Sequence, residues 1–270
     1  MKGVNIERLS TGVKGLDELI EGGIPRGFFV VVTGEPGCGK TILCIHFINQ
    51  GILENDKNIY ITTEESRESI ISQAAQFNMD FNKAITEKKL IIIDALMGGE
   101  DLWTLKSLDL EMLINKIIEA KKYLGYGRAR VVIDSISAYW LDKPAMARRY
   151  SYFIKKVLSK WDFTVMATAQ YAITTGEAHG FGVEHVGDII IRFKRIIRGG
   201  KLCRFLIIEK ARQTNHCLYA HEINIATGQG LIIGKKLEIR KEDYTLPRYI
   251  YDKIISIKKK EVKELSHSSL

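Results

Sequence analysis

Residues 33–41 read TGEPGCGKT. They directly follow the apolar run FFVVV (28–32) and precede a segment with helical spacing at 40–53. Gly34, Gly39, Lys40 and Thr41 therefore stand at the spacing of a phosphate-binding loop, in the strand-then-helix context that such a loop requires. The glycines let the backbone of Gly34, Glu35, Pro36, Gly37, Cys38 and Gly39 wrap phosphate oxygens. The start of the next helix, through Lys40, Thr41 and Ile42, adds its positive dipole end. Lys40 is expected to reach the β and γ phosphates and Thr41 to offer its hydroxyl to Mg2+, so ATP and Mg2+ are the expected cofactors.

Outward from this loop, short β-branched runs alternate with helical segments. The runs are 28–34, 58–65, 90–96, 129–136 and 163–170, and the helices are expected at 40–53, 66–78, 107–124 and 144–160. Continuous apolar runs bounded by polar residues suit strands buried on both faces of a parallel sheet, so the class is α/β with a mostly parallel central sheet flanked by helices. The rhythm changes after Gln170. DIIIRFKRIIRGGKLCRFLIIEKA (188–211) is two strand-like runs around a glycine turn, and CLYAHEINIA with GLIIGKK forms a second pair around TGQG. C-terminal antiparallel strands are therefore expected. The domain reading is one core over 1–240 and a basic helical extension over 241–270, with its helix from about Arg248 to Leu265.

Three strand ends carry polar groups suited to phosphate chemistry. RVVIDS (130–135) ends in Asp134, which beside the loop can hold magnesium through water. YITTEES (60–66) ends in Glu64 and Glu65. One of these carboxylates, with Glu64 favoured, is expected to polarise the attacking water; the other supports it or starts the next helix, where an acid is favoured in any case. MATAQ ends in Gln170, placed to sense a γ-phosphate and pass its presence to the glycine-rich loop that follows.

The 270 residues are 46% hydrophobic and carry a net charge of +8. Residues from Arg192 onward account for +10 and those before it for −2. A basic last third suits a polyanion, and it equally serves ordinary solubility. No apolar run approaches the length of a bilayer span and the start MKGVNIERLS has no signal-peptide core, so a cytoplasmic protein without membrane contact is expected. Cys38, Cys44, Cys203 and Cys217 form no metal-type pair and are expected as reduced thiols.

IEKARQTNH (208–216) sets Lys210, Arg212, Thr214 and His216 on alternate positions, which on an extended strand would share one face. By themselves these residues suit nucleic acid, a nucleotide phosphate or solvent.

The motifs, in this order, resemble the RecA superfamily, most closely the KaiC-like ATPases and the archaeal RadA paralogues. The resemblance begins at LSTGVKGLDELIEGGIPRG (9–27), a lead-in more discriminating than the phosphate loop itself, and runs to about residue 235. It implies a catalytic glutamate within Glu64–Glu65. It also implies that Lys210, Arg212 and His216, matching a Lys-x-Arg-x-Ser/Thr-x-His pattern, reach the γ-phosphate of a neighbour's nucleotide. The expected assembly is a ring or filament with sites between subunits. A single core starting within about ten residues of Met1 departs from tandem-core KaiC and from full-length recombinases, which makes a single-core paralogue the better description.

Two functions follow as expectations. The first is an ATP-dependent paralogue that binds single-stranded DNA and modulates recombination and repair, alone or with a recombinase partner. Its DNA contacts would come from the loop after Gln170, the basic last third, and the aromatics Tyr171, Phe181 and Phe193 near basic residues. The second is a KaiC-like signalling or scaffolding ATPase acting on a protein partner, with autophosphorylation at Thr62, Thr63, Ser135 or Ser137 as a narrower version. A hexameric helicase would need an amino-terminal linker helix for which the chain has no room.

Overall fold

The computed structural model describes residues 6–95, 98–140, 146–170 and 183–237. The chain divides into two compact units, Met1–Lys236 and Leu237–Leu270; apart from Leu237 the second lies outside the described residues, as do the expected tail helix and the loop at 171–182 with Tyr171 and Phe181.

The lead-in forms β1 (Arg8–Leu9), α1 (Lys14–Leu19) and β2 (Ile24–Pro25), with β1 and β2 paired antiparallel. The phosphate loop joins β3 (Phe29–Gly34) to α2 (Lys40–Leu53). There follow β4 (Lys57–Thr62), α3 (Arg67–Ala75), α4 (Phe81–Thr86), β5 (Leu90–Ala95), β6 (Thr104–Leu105), α5 (Leu110–Leu124) and β7 (Ala129–Asp134). The last third holds α6 (Ala147–Leu158), β8 (Phe163–Gln170), α7 (Val183–Val186), and the strands β9 (Ile189–Arg198), β10 (Lys201–Ala211), β11 (His221–Ala226) and β12 (Gly230–Lys236).

Ten described strands make one sheet in the order β12-β11-β10-β9-β3-β8-β7-β4-β5-β6. From β9 to β6 the neighbours run parallel, and β9 to β12 are antiparallel hairpins. Both faces of the parallel part are buried. Val30, Val32, Tyr60, Ile92 and Val132 pack with Leu43, Phe47, Ile70 and Phe81 of α2–α4, while Val31, Ile61, Ile93 and Ile133 pack with Leu113, Ile117 and Ile154 of α5 and α6. Period-two alternation inside an all-apolar run thus feeds two cores at once.

Local chemistry moves the helix boundaries away from the sequence expectations. The segment expected as one helix over 66–78 stops at Ala75. Asn78 adopts a left-handed φ of 60°, and Asp80 caps a new helix by accepting the Lys83 N–H at 2.9 Å. Helix α5 begins only after Asp109, whose carboxylate accepts the Met112 N–H at 2.8 Å. Among the described residues no helix is long and apolar enough to cross a membrane.

The lead-in is held by buried charge. Arg130 is completely buried and donates to Asp56 at 2.7 Å, Glu54 at 2.7 Å, the Ser10 carbonyl at 2.5 Å and the Phe47 carbonyl at 3.2 Å. One guanidinium therefore ties the lead-in to α2, to the turn after it and to β7, using the planar donor fork that lysine lacks. On the other side of α2, His46 is buried against Phe77, and its Nε2 accepts the Leu231 N–H at 2.9 Å. Burial lowers the His46 pKa, keeping the ring neutral so that it can accept that bond.

Candidate active site

The strand order reverses around β3, so the carboxyl ends of β3, β8, β7 and β4 open onto one crevice. Across that edge the Cα partners are Gly34 with Gln170 and Thr62 with Asp134. The phosphate loop, Asp134, the Glu64–Glu65 pair and the backbone of Gln170 thus meet at one end of the sheet.

Within the loop, Lys40 is buried, and its Nζ donates to the carbonyls of Gly34 at 2.9 Å and Glu35 at 3.0 Å. Gly39 caps α2 with φ 108°, a conformation that glycine adopts without strain. Gly34 is needed for close approach: a Cβ there would stand 2.7 Å from the Phe193 carbonyl. Glu35, Pro36 and Gly37 are exposed, whereas the Cys38 thiol is enclosed, and burial raises its pKa. Thr41 and Ile42 are half-buried on the first turn of α2.

Asp134 gathers three hydroxyls. Its Oδ2 accepts from Thr41 at 2.8 Å and Tyr60 at 2.9 Å, and its Oδ1 accepts from Thr168 at 2.5 Å. Burial, with the Asp134 charge second, raises the Tyr60 phenol pKa well above its usual value, so it stays a donor. A carboxylate oriented by side chains from α2, β4 and β8 faces the helix start with its position fixed.

The two glutamates have different surroundings. Glu65 Oε2 accepts from Ser69 Oγ at 2.6 Å and from Gln73 Nε2, which turns this carboxylate back onto α3. Glu64 is exposed at the end of β4. Ser66 caps α3 by accepting the Ser69 N–H at 3.1 Å, so the helix start is served by a serine. Thr62, Thr63, Ser135 and Ser137 are all buried, and Thr62 donates to the Glu65 carbonyl at 2.7 Å.

Lys210, Arg212, Thr214 and His216 do not share one strand face, contrary to the alternation read from the sequence. Strand β10 ends at Ala211, and the chain turns through Arg212 and Gln213, the latter at φ 52°. Lys210 Nζ donates to the Gly187 carbonyl at 2.6 Å, Arg212 pairs with Asp188 at 3.3 Å, Thr214 accepts from Arg8 at 3.1 Å, and His216 is half-buried. Burial, followed by the Arg212 charge, lowers the Lys210 pKa. Asp188 in turn accepts the Phe29 N–H at 3.0 Å, so this cluster sits at the amino end of β3. The phosphate loop lies at the carboxyl end, five residues or about 17 Å along the strand. Arg212 does not reach the loop of its own chain.

Two arginines that the sequence reading did not single out do reach it. Arg195 pairs with Glu35 at 2.6 Å and Arg204 donates to the Gly37 carbonyl at 3.2 Å; the two are Cα partners across β9 and β10. Their signal was present as matched positions either side of the GG turn. Thr168 and Tyr60, each two residues before the end of its strand, were legible by alternation from the strand end. Phe193, expected beside basic residues as a stacking ring, is fully buried, and its backbone and Cβ back Gly34; it is core, in the same apolar cluster as Cys38, Leu43, Leu206 and Leu231.

The family described as "ATPase: KaiC" matches residues 9–238. The chain is 34% identical to a UPF0273 protein of Methanocaldococcus jannaschii over 245 residues, covering 87% of this chain and 100% of that one. It is 33% identical to a UPF0273 protein of Aeropyrum pernix, covering 84% and 94% respectively. Among solved structures it is similar to a KaiC-like protein of Pyrococcus horikoshii, with a TM-score of 0.73, 26% identity, and coverage of 85% of this chain and 100% of that one. With the lead-in, the phosphate loop and the Asp134 cluster inside the matched span, the chain belongs to the KaiC-like ATPase family of the UPF0273 group.

Proposed function

We propose that this protein is a magnesium-dependent ATPase whose site is completed by a neighbouring copy of the chain. The observation that carries the reading is the Thr41–Asp134 contact at 2.8 Å, directly beside a loop whose buried Lys40 bonds only to loop atoms. A hydroxyl and a carboxylate are the hard oxygen donors that magnesium takes, directly or through water, so the residues fit the ion. Bound magnesium would neutralise phosphate charge. The backbone N–H groups between Gly34 and Ile42, Pro36 excepted because it has none, bind the phosphates, and Lys40 exchanges its two carbonyl partners for phosphate oxygens. Glu64, exposed at the strand end, orients and polarises the attacking water. Glu65 holds α3 in place behind it. Gln170, Cα partner of Gly34, reads the γ-phosphate end of the site.

Lys210 and Arg212 lie at the wrong end of the sheet for their own nucleotide; with His216 they serve the neighbour's, in the manner of an arginine finger. Hydrolysis is then a property of the assembly. Specific activity should rise with protein concentration and vanish with a chelator. Activity per chain that stays constant from dilute to concentrated protein would overturn the shared site.

A second reading, single-stranded DNA binding, is favoured by one surface. Lys194, Arg195, Ile197 and Lys201 are exposed on the β9–β10 hairpin, at the same end of the sheet as the strand end that leads into the 171–182 loop. Fluorescence anisotropy with a labelled single strand over a salt series tests it: binding that weakens steeply with salt supports it, and no binding at low salt removes it.

A further inference from the structure

Cys38 and Cys44 are enclosed, whereas Cys203 and Cys217 are half-buried. The two half-buried thiols differ in what faces them. Cys203 Sγ lies 3.7 Å from the Lys201 carbonyl. Cys217 Sγ lies 3.6 Å from His221 Nε2, and Nδ1 of the same ring lies 3.3 Å from the Gly234 carbonyl. A carbonyl only accepts, so Nδ1 carries a hydrogen, and in the neutral ring Nε2 turns its lone pair to the thiol. Both partners are held in place. The Cys217 N–H donates to the Leu19 carbonyl at 2.9 Å, and His221 opens β11 with Leu206 and Lys236 as its cross-strand neighbours. A nucleophile, a base within reach and a third group orienting the base are the parts of an activated thiol.

We propose that Cys217 is a base-activated thiol that forms mixed disulfides with low-molecular-weight disulfides, with His221 as its base. The Sγ proton passes to His221 Nε2, and the thiolate attacks one sulfur of the small disulfide. The Cys217 S–S bond forms as the small disulfide's own S–S bond breaks, and the departing thiolate takes the proton back from the imidazolium. No other oxidant is needed. Cys217 directly follows His216, so the adduct would stand on the segment that the proposed function gives to a neighbour's nucleotide. That consequence rests on the shared-site reading; the thiol chemistry does not.

The test uses the whole reduced chain, bis(2-hydroxyethyl) disulfide as an uncharged probe, and mass mapping of the adduct at each cysteine over time. Cys203 is the reference inside the same molecule. Cys217 is expected to react about tenfold or more faster than Cys203, and His221→Gln to bring the two within about threefold. A general loosening of the fold would accelerate thiols, so a slower Cys217 in the variant does not come from unfolding. A rate ratio near one in the unaltered chain, or a ratio unchanged by His221→Gln, would overturn the proposal.

Discussion

The two ends of strand β3 hold different things. At the carboxyl end, residues from six other strands or helices converge around the phosphate loop within one chain: Thr41 from α2, Tyr60 from β4, Asp134 from β7, Thr168 from β8, and the Arg195–Arg204 pair from β9 and β10. At the amino end, Lys155, Lys210 and Arg212 gather around Asp188 and the Gly187 carbonyl, with no phosphate loop within their reach. Arg212 is 54% exposed in its side chain although paired, so its ion pair is weak and exchangeable. The first end gathers the phosphate-loop groups of one chain; the second gathers cations around Asp188 and the Gly187 carbonyl, of which the proposed function gives Lys210 and Arg212 to a neighbour's nucleotide.

That contrast breaks most visibly when one end is removed at a time. Lys40→Ala should lower ATP hydrolysis by about three orders of magnitude and abolish triphosphate binding, whereas Arg212→Ala should lower kcat by about a hundredfold and leave binding within about threefold. Mixing the two inactive chains provides the decisive measurement. Sites with a sound loop from one chain and a sound Arg212 from the other should recover activity in phosphate-release assays. Hydrolysis by Arg212→Ala at the normal rate would mean that the amino-end cluster is only an internal ion pair.

A smaller effect sharpens the carboxyl end. Glu64→Gln should cost about tenfold to a hundredfold in kcat with little change in melting temperature. Glu65→Gln should cost less in rate and more in stability, since it weakens charged hydrogen bonds to Ser69 and Gln73. Paired thermal melts and steady-state rates separate the two, and the reverse pattern would exchange their roles.

The parallel half of the fold was legible because each strand is an apolar run and each motif sits at a run's end. Gly34, Asp134 and Glu64 could be placed at one edge from strand ends alone. The Lys210–His216 segment was less legible. Period-two spacing predicts one face only while the strand stays regular; the register with β9 shifts between Ile208 and Lys210, β10 ends at Ala211, and Gln213 then turns left-handed. Arg195 and Arg204 were hidden for a different reason: their meeting depends on hairpin register, and on how β9 lies against β3, which local sequence does not state.

The smallest expected effect concerns His46. Its pKa is lowered in the fold, so the unfolded chain binds the proton more readily below the ordinary value of 6.5. The sign is that stability is fully present above pH 6.5 and declines as pH falls below it, by at most about 1.4 kcal/mol per pH unit. His46→Leu should flatten that decline in urea unfolding between neutral pH and about pH 5, and an unchanged slope would place the titration elsewhere.

The His46–Leu231 bond also joins the phosphate-loop helix to β12, and Ile225 and Leu231 stand against Gly39 at the helix start. The loop closes its sequence within the first fifth of the chain, yet its helix leans on a strand near the end of the matched span. During synthesis, a ribosome-bound chain halted before Leu231 therefore carries every residue of the phosphate loop but lacks the backbone N–H that His46 accepts and part of the apolar contact at Gly39.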